Sequence, residues 1–183
     1  MKIDPKYIQD ELWDNIKAHE IGLGNAEYGF QNRLAYENNW SHKFTLEAIE
    51  EYKRFMYLLC RCEHPVTPSR DVDEVWHLHL LYTKDYWLEF VPKLSKTPHH
   101  NPTKGGKDEE EKFIGYYENT LSSYRKIFQE EAPSRIWPDS SIRFNSDRRI
   151  KLVDPKNFVL LRRSELKWFL CLILVYLIYL ILR

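Results

Sequence analysis

The stretch SRDVDEVWHLHL, residues 69–80, decides the fold, because it can be read in two ways. As a strand, the alternation from Trp76 to Leu80 would set His77 and His79 on one face. As a helix it turns them about 200° apart. The flank settles the choice. Pro65 and Pro68 break the segment before it, Ser69 is a ready N-cap, and Val72, Val75, Trp76, His79 and Leu80 recur at three- and four-residue spacing. The spacing predicts a helix, so the two histidines divide: His79 joins the apolar stripe and His77 leaves it.

The same period extends in both directions. Upstream, Asp4-Pro5 reads as a cap followed by proline at the first helical position, with Ile8, Leu12 and Ile16 on one face until Gly22 and Gly24. Residues 26–38 predict a second helix with Phe30 and Leu34 together. Thr45 is a candidate cap for a third, on which Leu46, Ile49, Met56 and Leu59 follow one another up to Pro65. Downstream, Thr83 opens a short helix through Tyr86, Trp87 and Phe90 that ends at Pro92. The loop SKTPHHNPTKGGK follows. Asp108 with Glu111 resembles a capping box, and Phe113, Tyr117, Leu121, Tyr124 and Phe128 form one face of a long helix, better suited to a core than to a ligand box. Beyond Ile136-Trp137-Pro138 the helical period fades, and a strand-like piece is expected at 149–153.

The chain has 183 residues, which fits one compact domain with an appendage. The appendage is the uncharged run WFLCLILVYLIYLIL, Trp168–Leu182. A helix without a polar face needs apolar surroundings on all sides, and a small bundle offers fewer of them than lipid does. Fifteen residues reach about 22 Å against roughly 30 Å of hydrocarbon, a deficit that Lys167, Arg183 and interfacial Trp168 can absorb by snorkelling and local thinning. Arg148, Arg149, Lys151, Lys156, Arg162, Arg163 and Lys167 precede the run and Arg183 alone follows it, which keeps the folded part in the cytoplasm. The expectation is therefore an all-α protein of three parts. Residues 1–138 form a compact, bundle-like helical domain, 139–166 a basic juxtamembrane connector, and 167–183 a single transmembrane anchor whose partner is membrane lipid.

Composition excludes several alternatives. Lys+Arg and Asp+Glu balance at 27 each, so no field draws the chain to nucleic acid. Cys60, Cys62 and Cys171 make no disulfide framework, and the start MKIDPKYIQDELWDN lacks a signal-peptide core. Nucleophile-elbow, HExxH and dinucleotide patterns are missing from the sequence. PTKGGK is a poor phosphate cradle, because acids follow it at 108–111.

What remains is the set of histidines. His77 follows Asp73 by one helical turn, where a carboxylate orients an imidazole or shares a cation with it. His99 and His100 lie in the loop that follows and can fold back. Asp73, His77, His99 and His100 are thus candidate ligands for a divalent transition metal such as zinc, three protein ligands with an open position being the catalytic pattern. The alternative is an Asp-His brace pinning the loop to the helix. His79 is expected in the core as a hydrogen-bonded neutral imidazole. Cys60-x-Cys62-x-His64 is tighter than the usual zinc spacing.

Four ordered blocks carry a resemblance: VTPSRDVDEVWHLHLLYTKDYW; HHNPTKGG; the pattern of Phe113, Tyr117, Thr120, Leu121, Tyr124 and Phe128; and IWP. Over residues 45–138 the chain resembles the glycine-rich-domain-containing-protein-like family, in particular its bacterial members joined to membrane segments. The resemblance implies an α-helical module without an established activity, in which VDxVWHxH and the HH loop belong to one site or brace. It also implies that Cys60 and Cys62 are not ligands. The glycine-rich tail that names the family is missing from this sequence, and one apolar segment follows rather than several. The expected function is a membrane-anchored, cytosol-facing binding module with a protein partner. The enzyme alternative is metal-dependent hydrolysis at Asp73, His77 and His99 or His100, with Glu74 a poorly placed base. A third reading, regulation at the membrane surface, rests on the basic stretch 148–167.

Overall fold

A computed structural model describes residues 6–22, 29–100, 107–144 and, nearer the C-terminus, 167–168, 171–172 and 178–179. Among the described residues the regular structure is entirely helical. A 3-10 turn at Lys6–Gln9 leads into α1 (Glu11–Lys17). Then come α2 (Phe30–Asn38), α3 (His42–Arg61), α4 (Arg70–Leu81), a π-helical turn at Asp85–Phe90, a 3-10 turn at Val91–Lys93, α5 (Lys107–Phe128) and α6 (Ser140–Arg143).

The hub is α3, on which α1, α2, α4 and α5 all pack. Its sequence makes this possible: Ala48, Tyr52, Phe55, Met56 and Leu58 are fully buried at helical spacing, so it is apolar over most of its circumference. Around it α4 contributes Val72, Val75 and Trp76, and α5 contributes Tyr117, Tyr124 and Phe128, all buried. Aromatic rings fill much of the space, as where Trp137 stacks on Tyr117 at 6.1 Å and Phe55 meets Trp76 at 5.6 Å.

Two helix starts differ from the sequence reading. Asp10, not Asp4, caps α1 by accepting the Leu12 N–H at 3.0 Å. Ile8 falls in the 3-10 turn and is 45% exposed rather than part of the stripe. Asp10 gains from position as well as local geometry, since Tyr57 on α3 donates to it at 2.6 Å and Arg61 pairs with it. Likewise Ser41, not Thr45, caps α3 by accepting from Phe44 at 3.3 Å, and Thr45 lies inside the helix with its hydroxyl on the Ser41 carbonyl. Ser69 does cap α4, accepting the Val72 N–H at 3.3 Å.

The compact helical unit runs to Asn145. Residues 139–144, which the sequence reading places in the connector, turn back through α6 and its two caps, Asp139 and Phe144. Phe144 packs edge-on against Tyr117, and Arg143 donates to the Pro68 carbonyl at 3.3 Å. The remainder, Ser146–Arg183, forms a second unit. Within it Trp168, Leu172, Ile178 and Tyr179 are helical and exposed. Among the described residues no helix is long and apolar enough to cross a membrane. The expected span, Trp168–Leu182, lies largely outside the described residues, as do the expected strand at 149–153 and most of the PTKGGK turn.

Candidate functional site

The first turn of α4 places Asp73 on the outer face, and His77 follows one turn later with Nε2 3.9 Å from Asp73 Oδ2. The third member arrives from the loop. Trp76 Nε1–H donates to the buried Tyr86 hydroxyl at 3.0 Å, and that hydroxyl donates to the Pro98 carbonyl at 3.1 Å. This relay fixes the chain just before His100. The His100 ring meets Trp76 edge-on at 4.6 Å, and its Nε2 reaches Asp73 Oδ1 at 2.8 Å. The His77 and His100 rings are 4.5 Å apart, and the ligand atoms of Asp73, His77 and His100 lie within 4.8 Å of one another. Of the sequence candidates, these three converge and His99 does not join them: it is exposed, one residue before.

The cluster opens to solvent, with side-chain exposures of 49% for His77, 25% for Asp73 and 19% for His100. Its hydrogen bond to Asp73 raises the His100 imidazole above the usual histidine range, against the effect of partial burial. Arg143 lies close enough to feel Asp73, although burial lowers its own guanidinium. Glu74 is exposed and about 100° further round the helix, so it does not face the cluster.

On the opposite face of α4, His79 is fully buried and meets two side chains that the sequence did not single out. Its Nδ1 lies 2.8 Å from the Tyr52 hydroxyl and its Nε2 2.7 Å from Asp85 Oδ1. His19, just past the end of α1, brings Nε2 to the same oxygen at 2.9 Å, while Lys93 Nζ reaches His19 Nδ1 at 2.9 Å. The Gly22 N–H donates to Asp85 Oδ2 at 2.9 Å. Burial pushes the His79 imidazole down to about 4, against the pull of Asp85. A neutral ring then has one consistent tautomer: Nε2–H donates to Asp85, and Nδ1 accepts from Tyr52. Burial pushes the Asp85 carboxyl up, but the two histidines and Gly22 outweigh it and hold it below the usual range.

The π-helical turn is what aims Asp85. Hydrogen bonds spanning five residues bring Asp85 over Phe90, so the carboxylate and the buried rings of Tyr86 and Phe90 share an inward face. Beside this cluster lies a cleft of about 290 Å³ walled by His19, Ile21, Phe30, Ile49, Glu50 and Lys53. Burial lowers the Lys53 ammonium against the pull of Glu50, and its Nζ donates to the Lys17 carbonyl at 2.8 Å.

The Cys60-x-Cys62-x-His64 stretch has other partners. Both cysteines are buried and free, and His64 donates to the Pro65 carbonyl at 2.9 Å and accepts from the Ser123 hydroxyl at 2.7 Å.

Two curated proteins are similar to this chain. Glycine-rich domain-containing protein 1 of Arabidopsis thaliana is 26% identical over 107 residues, which is 54% of this chain and 13% of that protein. Glycine-rich domain-containing protein 2 of the same plant is 26% identical over 90 residues, 46% of this chain and 11% of the relative. The chain thus spans only about an eighth of the length of the curated relatives it matches. No family model matches it, and no solved structure does.

Proposed function

We propose that the helical unit is a binding module whose working surface is built on Asp73, His77 and His100, and that these three hold a divalent transition ion, zinc foremost. The observation that carries the reading is their convergence from two separate segments within 4.8 Å on an accessible face. A bound ion would lock the loop bearing His99 to α4 and present it to a protein partner. In this reading the chain is a bacterial, membrane-linked member of the glycine-rich-domain-containing-protein-like family, held by its 168–182 run with the helical unit toward the cytoplasm. The exposed apolar residues of the second unit support the anchor. The 27-to-27 charge balance speaks against nucleic acid as the partner.

A metal-dependent hydrolase is the second reading, favoured by the exposure of His77, which leaves an ion an open position. Against it, Glu74 faces elsewhere and the 290 Å³ cleft is walled by other residues. The test is metal analysis of purified, tag-free protein. Zinc that copurifies and is weakened by both His77→Ala and His100→Ala, but not by His99→Ala, supports the site. Zinc unaffected by either variant removes it. Added turnover of ester or phosphoester probes by the zinc-loaded protein would shift the choice to the enzyme.

A further inference from the structure

We infer that His19, His79 and Asp85 form a second, buried site for a divalent transition ion, independent of the surface cluster. The two ε nitrogens and a carboxylate oxygen lie within 4.8 Å of one another, with both nitrogens directed at one oxygen. Two neutral imidazoles and one carboxylate are the donor set that zinc and ferrous iron favour. Tetrahedral ligands about 2.0–2.1 Å from zinc stand roughly 3.3 Å apart. The present separations of 2.7 and 2.9 Å would therefore open by only about half an ångström.

Every ligand is already held from behind. Tyr52 backs His79, the Gly22 N–H fixes the free oxygen of Asp85, and Phe90 lies 4.9 and 5.0 Å from the two imidazole rings. Such outer contacts orient ligands in metal sites. An ion has a route in, since His19 walls the cleft and Asp85 keeps 12% exposure.

The protons balance without loss. In the ion-free form each histidine carries its proton on Nε2, toward Asp85. With the ion on Nε2, that proton sits on Nδ1, where His79 donates to the Tyr52 oxygen and the Tyr52 O–H rotates away from the ring. His19 Nδ1–H displaces the exposed Lys93 ammonium, which swings to water. No proton is released, and Asp85 is a carboxylate throughout.

The test is zinc and cobalt(II) titration of the full chain in detergent, in wild type and in the His77→Ala/His100→Ala background that removes the surface cluster. That background is expected to keep one tight ion per chain. Adding His19→Gln is expected to abolish it, and Tyr52→Phe to weaken it about tenfold. An ion-free background protein overturns the inference, as does an ion that survives both His19→Gln and Asp85→Asn. Should these variants unfold by circular dichroism, X-ray absorption of the cobalt-loaded background decides, two imidazoles supporting the site and none overturning it. Failure of the surface site reads differently: wild type and background would then bind the same number of ions.

Discussion

Glu51 is a buried carboxylate at the crossing of α3, α5 and the Ile136-Trp137 segment. It accepts from Trp137 Nε1–H at 2.9 Å and from the Tyr124 hydroxyl at 3.2 Å, with Arg54 beside it. Replacing it with alanine would orphan two buried donors and leave Arg54 with less compensation. Glu51→Ala should therefore cost about 3 kcal/mol, seen as a lower urea midpoint by tryptophan fluorescence, and Glu51→Gln clearly less because an acceptor remains. Burial raises the Glu51 carboxyl above 4.5, against the pull of Arg54. The folded form then holds the proton longer than the unfolded chain does. Its contribution is fully present below pH 4.5 and is lost as pH rises through the folded value. Wild type should thus lose stability relative to Glu51→Gln as pH climbs from 4.5, and a constant difference between the two would refute this assignment. Nothing in the sequence marked Glu51, since one acid at a stripe position carries no local signal.

At the scale of elements, Tyr86 is the fastener between α4 and the histidine loop. Tyr86→Phe removes the acceptor of the Trp76 indole and the donor to Pro98. It should cost about 2 kcal/mol and loosen His100, so that zinc at the surface cluster weakens about tenfold while the fold persists by circular dichroism. Asp10→Ala should cost about 2 kcal/mol by thermal melting, more than an ordinary cap, because the Tyr57 hydroxyl loses its acceptor as well. These elements also show what a sequence can carry. The cores of α3, α4 and α5 were readable because their apolar period is long and unbroken. The start of α1 was not, because the Asp10 cap is chosen partly by α3 residues far away in sequence. The π-helical winding that aims Asp85 has no pattern by which to find it. Asp73 and His77 were visible as a one-turn pair and the return of His100 as a candidate, whereas His19, 66 residues from Asp85, left no trace.

For the whole molecule, the helical unit and the apolar C-terminal run set different demands. If the run is seated in lipid, the intact protein should stay with membranes through alkaline carbonate and high salt and be released by detergent. Recovery in the supernatant after salt alone would mean that the basic stretch 148–167 holds it by charge. One feature of α4 reaches further than either cluster alone. His77 and His79 leave the same short helix in opposite directions, and Tyr86, hydrogen-bonded to the buried Trp76 on which the His100 ring rests, has its own ring 5.0 Å from His79. Should both triads hold ions, α4 would carry ligands of each. If loading the inner triad tightens the outer one, thermodynamic reciprocity requires the outer to tighten the inner by the same factor, so one measured cooperativity would report on both.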